Sequence, residues 1–315
     1  MGCSKNMATH CRMMTSPDFM NGLLLVDKPS GPTSFDVVRT VRRAVGQRKV
    51  GHTGTLDPLA SGLIVVCLGQ GTKLVPFLMD TDKRYLARVK LGTGTDTDDA
   101  LGDVVEEAPV PVLERASLER KLAEFVGRIR QVPPKFSAIK KDGEPLYRKA
   151  RRGEEVTPEA REVEIISIAL TGVTEDQLDL VVRCGKGTYI RSLARDIAKS
   201  MGTCGHLESL RRVETAGFSV EQALAMDGIE AMAKEGRLSE YLIALAEAIP
   251  AIPQIQLSEE EEKSIRNGQA VPCIQTLETN PLAQRGYVKL LSVDNRLCAM
   301  ATVSDGHLRP KKVFT

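Results

Sequence analysis

The chain has 315 residues, 42% hydrophobic and 27% charged, with a net charge of +2. These are ordinary globular values; they exclude a disordered or fibrous class and leave room for one large domain plus a smaller one. Seven cysteines never spaced C-x-x-C, and four histidines without ligand spacing, argue against a disulfide framework or a zinc site and fit a reducing cytoplasm, while no apolar run approaches the ~20 residues that cross a bilayer.

Residues 1–20 lack the apolar segment of a signal peptide and read as a disordered tail. Leu23 to Val26 then reads as a short buried strand, stopped by Pro29 and Gly31. Thr33 and Asp36 form a capping-box pattern, after which Val37, Val38, Val41, Ala44 and Val45 recur at helical spacing up to Gly46. Arg39, Arg42 and Arg43 are left mostly on the outer face of that helix.

The next stretch, KVGHTGTLDPLASGLIVV, shows one carboxylate, Asp57, in a loop of glycines and threonines ahead of an aliphatic strand, Leu63 to Leu68. Arg84 to Gly92 alternates as a half-exposed strand, an acidic GTGTDTDDALGD loop follows, and Ser117 to Val126 is predicted as a helix. Glu162 to Leu170 and Leu178 to Cys184 are strand candidates; the second leads through GKG into a helix from about Tyr189 to Met201. A charged helical region is expected after Glu221, ending at the proline-punctuated segment Ala248 to Gln254, which suits a domain linker. Beyond it, two strands about an Asp294-Asn295 turn indicate a small, mainly β unit.

The charge distribution says more than its total. Between Arg128 and Arg152 there are nine Lys or Arg against Asp142 and Glu144, and Arg39, Arg42, Arg43, Arg48 and Lys49 form a second basic group. One such run is usually a solvated face. Two of them flanking one candidate site point to a polyanion, most simply nucleic acid.

Asp57 has three readings. A phosphate-binding loop needs G-x-x-x-x-G-K-[ST], which no stretch supplies; GQGTK is too short. Asp before Pro is often only a turn. A nucleophile in the apolar company of Leu56, Leu59 and Leu63 would need a cation close by, since desolvation favours the neutral acid. A guanidinium suits best because it cannot lose its charge, and Arg191 in GKGTYIRSLARDI is the candidate.

LLLVDKPSGPTSFDVV, KVGHTGTLDPLASGLIVVCLGQGTK, KRYLARVKLGTGTDTDDALGD, QVPPKFSAIKKDGEPLYRKARRG and CGKGTYIRSLARDI followed by GHLESLRRVE occur in order over about Gly22 to Thr215. Together they resemble the TruB family of tRNA pseudouridine synthases. The resemblance implies an α+β fold, with a mixed β-sheet catalytic core and flanking helices over 21–249 and a small PUA-like RNA-binding unit over 250–315. It matches Asp57 to the family's catalytic aspartate, which attacks a flipped uridine at C6 or at C1′. It matches Tyr85 to a tyrosine that packs on the base or deprotonates C5, and Arg191 to the arginine paired with the aspartate.

By the same resemblance Tyr189 and Leu210 line the uridine pocket, and His52 occupies the gap left by the flipped base. Lys28 and Pro29 match the N-terminal motif, Pro29 shaping the site floor, while Lys73 and Asp99 match polar supporting positions. The DTDD run then stabilises its loop rather than binding a metal. The segment from about Pro133 to Val156 matches an RNA-clamping insertion absent from guide-RNA-dependent relatives. What this implies is a cytoplasmic, monomeric enzyme that modifies uridine 55 in the T-arm of tRNA, with no cofactor, metal, guide RNA, protein partner or membrane.

Overall fold

The computed structural model describes residues 19–137, 139–141, 143–154, 156, 158–250, 252–273 and 286–314. Most of the expected tail therefore lies outside the described residues, but Met20 already belongs to the fold: its backbone N–H donates to the Gln47 amide, which donates back to the Met20 carbonyl.

In chain order the first half comprises β1 (Gly22–Lys28), α1 (Ser34–Val45), β2 (Val50–Thr53), β3 (Ser61–Leu68), α2 (Val75–Met79), β4 (Lys83–Leu91), β5 (Thr93–Thr95), β6 (Val104–Glu107), α3 (Arg115–Ala123) and β7 (Gly127–Gln131). After it come β8 (Lys140–Lys141), β9 (Glu144–Pro145), α4 (Leu146–Arg151), β10 (Arg161–Val173), β11 (Gln177–Cys184), α5 (Ile190–Ser200), β12 (Gly205–Thr215), β13 (Phe218–Ser219), β14 (Leu224–Ala225), α6 (Ile229–Lys234) and β15 (Leu242–Ile243). The main sheet runs β14-β1-β3-β12-β4-β11-β10-β7. It is mixed: β12 runs parallel to β3 and antiparallel to β4.

Thr33 caps α1 as its sequence predicts, with the reciprocal Asp36 contact in place, and Gly46 closes the helix in the left-handed conformation (φ 64°). Such a cap contributes about 1 kcal/mol. The valines of α1 belong to one buried cluster with Leu24, Val26, Ile64 and Val66, which also includes Leu193, Ala194 and Ile197 of α5. The alternate residues Leu23, Leu25, Leu63, Val65 and Cys67 face the other way, onto Leu291, Met300 and Phe314 near the C-terminus. With both faces covered, β1 and β3 read as unbroken aliphatic runs. β4 alternates because its second face meets water, where Arg84 pairs with Glu214 and Arg88 with Asp179.

The C-terminal unit is a five-stranded sheet, β16 (Gln254–Gln256), β17 (Val271–Pro272), β18 (Tyr287–Leu291), β19 (Leu297–Ser304) and β20 (His307–Val313), joined by helix α7 (Glu259–Arg266). β18 and β19 form the expected hairpin, with Asn295 at φ 59° in its turn.

Two expectations need correction. The helix placed at Ser117 to Val126 is α3, two residues earlier at its start and three shorter at its end, because single turns at Glu124 to Val126 run into Gly127 at φ 101°. The helical region after Glu221 is reduced to the six residues of α6 with short 3₁₀ turns around it; Gly228 and Gly236 bound it. The segment from Ala248 to Gln254 is packed at its start, where Ala248 and Ile249 are buried in the cluster shared by the two sheets.

Candidate functional site

The loop between β2 and β3 is held from one side by the turn that follows β1. Ser34 Oγ donates to the Leu56 carbonyl (2.9 Å) and accepts from the Leu56 N–H (2.8 Å). Gly31 N–H donates to the Pro58 carbonyl, and Ser30 Oγ to that of Leu59. The Ala60 N–H closes a turn on the Asp57 carbonyl. The Asp-Pro step is thus a turn and a display at once, leaving the Asp57 side chain 38% exposed.

Opposite it stands Arg191, in the first turn of α5 and only 6% exposed at its side chain. Its Nε lies 2.9 Å from Asp57 Oδ2, yet that N–H finds no well-aligned acceptor among the described residues, so the contact is one of charge more than of directed hydrogen bonding. Both remaining nitrogens are engaged as well. Nη1 donates to the Thr97 carbonyl (3.0 Å) and sits 3.4 Å from Asp99 Oδ2, while Nη2 donates to the Phe136 carbonyl (3.0 Å).

The guanidinium therefore keys together the Asp57 loop, the acidic loop and the start of the basic segment. Burial, with Asp99 adding to it, pushes the Asp57 carboxyl above the usual carboxylate range, against the pull of Arg191 and Lys28. Lys28 is itself buried, its amine donating to the Pro29 and Pro32 carbonyls, and burial lowers its pKa to about 8 while the charge of Asp57 resists.

Tyr85, 8% exposed on β4, faces Arg212 on β12 and Val182 on β11. Its phenol is pushed up by burial, an effect that Arg212 opposes. Leu210 lies two residues before Arg212 on the same buried side of β12. His52 is half-buried on β2, its Nδ1 has no partner among the described residues, and burial followed by the charge of Arg212 lowers its pKa.

Tyr189 occupies the N-cap position of α5, its backbone paired in both directions with the Gln131 amide and its ring 4.8 Å from the Arg161 guanidinium. Pro29 is exposed and lines a cavity of about 590 Å³ beside the loop, with Asp27, Arg211 and Glu230. Asp57 is not among the residues lining that cavity.

In the acidic loop Asp96 accepts from the Asp103 N–H, Asp99 accepts from Thr97 and Leu101, and Asp98, in the left-handed conformation at φ 59°, pairs with Arg195 at 2.7 Å. No cluster of three metal-binding side chains occurs among the described residues. Lys73 is not drawn into the Asp57 group. Its amine donates to the Val313 carbonyl at 2.7 Å and lies over the Phe314 ring, so its contacts serve the C-terminal strand.

Sequence reasoning missed Ser34, Gln131 and above all Arg212. A signal existed for the last: in LESLRRV, Leu210 and Arg212 share a period of two, which places an arginine at an inward strand position.

Three family descriptions match the chain in succession. Residues 42–190 match "TruB family pseudouridylate synthase (N terminal domain)", 191–249 match "tRNA pseudouridylate synthase B C-terminal domain", and 253–314 match "Pseudouridine synthase II TruB, C-terminal". A protein of Psychrobacter cryohalolentis described as tRNA pseudouridine synthase B is 42% identical over 82% of this chain and 73% of its own length. One of Xanthomonas campestris pv. campestris with the same description is 39% identical over 94% of each chain. Among solved structures, a chain of a Cbf5-Nop10-Gar1 complex superposes with a TM-score of 0.70 at 22% identity, covering 96% of this chain and 91% of that one, and so shares the fold.

Proposed function

Given that the chain belongs to the TruB family of pseudouridylate synthases and isomerises uridine to pseudouridine, we propose that its substrate is uridine 55 in the T-arm of tRNA and that Asp57 is the nucleophile. The observation that carries the reading is the contact of Asp57 with a buried Arg191, 2.9 Å apart, beside Tyr85. A carboxylate that burial drives toward neutrality can attack only if a permanent cation holds it ionised, and this one has such a cation.

The target is flipped out of the RNA at a cost of a few kcal/mol. Stacking on Tyr85 returns roughly 1–3 kcal/mol. An Asp57 oxygen then bonds to C6 of the base or to C1′ of the ribose. The N1–C1′ bond breaks with its electron pair passing to the uracil, the base turns within the pocket, and C5 bonds to C1′. The C5 proton leaves, N1 takes up one proton, and the Asp57 carboxylate is released unchanged. Arg191 steadies the charge of Asp57 at both ends of this sequence.

Phosphate contacts come from Arg39, Arg43, Arg48 and Lys49, exposed on and after α1, and from the basic segment within 133–156. Carrying its own clamping segment, the enzyme acts as a cytoplasmic monomer without guide RNA or protein partner. The catalytic part spans 21–249 and the RNA-binding tail 250–315. The deciding experiment incubates unmodified tRNA with the wild type and with Asp57→Asn, digests it, and separates uridine from pseudouridine. The expected result is one pseudouridine at position 55 with the wild type and none with the variant; full activity of Asp57→Asn, or modification elsewhere only, would overturn it.

A further inference from the structure

Arg212 is an oddity of this fold. It is one of the largest fully buried side chains in the protein, 1% exposed, and it makes no ion pair with a carboxylate among the described residues. Burying a cation costs several kcal/mol after relaxation, and an aliphatic side chain would fill the same volume without that cost.

The sheet shows where the charge is spent. β3 and β12 run parallel for only two residue pairs, Ser61 with Arg211 and Gly62 with Arg212, and then diverge. At that fork Arg212 Nε donates to the Leu63 carbonyl (2.7 Å), and Nη2 reaches across to the Gly54 carbonyl (3.1 Å) in the loop that carries Asp57. The backbones meet so closely that a Cβ on Gly62 would stand 2.2 Å from the Arg212 carbonyl oxygen. Directly opposite Arg212 in the antiparallel β4–β12 ladder is Tyr85, so the two side chains project from the same face.

We propose that Arg212 is a positioning residue of the uridine site: its planar fork locks the Gly54 end of the Asp57 loop and the Tyr85 phenol into one frame, and its charge faces the phenol oxygen. The electrostatics agree with the geometry, since the guanidinium opposes the upward push of burial on the Tyr85 phenol and lowers the neighbouring His52 and Lys28. The assignment rests on the reading of Tyr85 as the residue that receives the target base.

The test separates the two. 3-Fluorotyrosine in place of Tyr85 gives a fluorine signal whose pH titration reports that phenol alone and needs no RNA. Removing the guanidinium by Arg212→Met should move the titration to higher pH. On tRNA, the same substitution in the otherwise native chain should lower the single-turnover rate roughly tenfold to a hundredfold, with RNA affinity changed less than about twofold. Arg212→Lys keeps the charge without the fork, so its phenol titration should fall between the two and its rate should recover only in part.

A phenol titration that both substitutions leave at the wild-type position overturns the proposal. So does a rate loss that disappears when each variant is assayed at the same interval below its own Tm, which would mark Arg212 as a structural cap on two carbonyls. If Arg212→Met does not fold, Arg212→Lys decides: wild-type titration with wild-type rate sinks the idea. Should Asp57→Asn retain isomerisation, the proposed chemistry fails while the phenol titration still reads the link between Arg212 and Tyr85.

Discussion

Arg191→Met removes a cation whose three nitrogens serve three segments at once. Deleting it leaves Asp99, 7% exposed at its side chain, facing Asp57 with no intervening charge, and it strands the Thr97 and Phe136 carbonyls. Breaking a buried pair by removing one partner costs about 3–5 kcal/mol. The lower end applies, because Asp57 is 38% exposed and its share is screened by solvent. At roughly 2 °C per kcal/mol for a chain this long, Tm should fall by about 6 °C, which leaves the variant folded at ordinary assay temperatures.

The kinetic effect is larger. Without Arg191 the carboxyl of Asp57, already above its usual range, rises further and protonates, and the developing charge loses its stabiliser; one such electrostatic contact is worth on the order of 10²–10³ in rate. Tritium release from C5-labelled tRNA under single-turnover conditions reads the rate, and filter binding reads RNA affinity, which should fall little because the guanidinium is buried away from phosphates. Arg191→Lys keeps a charge but cannot reach Asp57 and both carbonyls together, so it should lie between the wild type and Arg191→Met. Near-normal turnover in Arg191→Met, or an affinity loss as large as the rate loss, would refute the reasoning.

Because the Asp57 pKa is raised in the folded protein, the folded state holds that proton more tightly than the unfolded chain does; its stabilising effect is present at low pH and lost as pH rises through the folded pKa. Measured against Asp57→Asn, the wild type should therefore lose Tm as pH rises from acid toward neutrality, and a wild type that instead gains on the variant over that range would count against a strained carboxylate. Wild-type turnover should fall as pH drops through that same raised pKa, a limb absent from RNA binding. Reversing the charges of Lys140, Lys141, Arg148, Lys149, Arg151 and Arg152 should weaken tRNA binding and flatten its dependence on salt; an unchanged slope would remove the segment from the interface. Gly62→Ala at φ 103° would drive a Cβ into the Arg212 backbone, and strain with partial strand separation should cost about 2–4 kcal/mol in denaturant unfolding; full stability would show that β3 and β12 yield there.

Sequence alone determined the parts whose causes are local. The capping box of α1, the unbroken aliphatic runs of β1 and β3, the alternation of β4 and the glycines around Asp57 each act over a few neighbouring residues, so pattern sufficed for them. Chemistry also reached the need for a cation beside Asp57, since burial of an anion demands one. Only the tertiary structure decided how that cation is shared. Arg191 divides itself among Asp57, Asp99 and two carbonyls from separate segments, Arg212 becomes a buried cation at the fork of β3 and β12, and Lys73 turns to the C-terminal strand. Those partners lie far apart along the chain, and strand register, which packing of the whole sheet sets, is what brings a donor within 3 Å of one carbonyl rather than another.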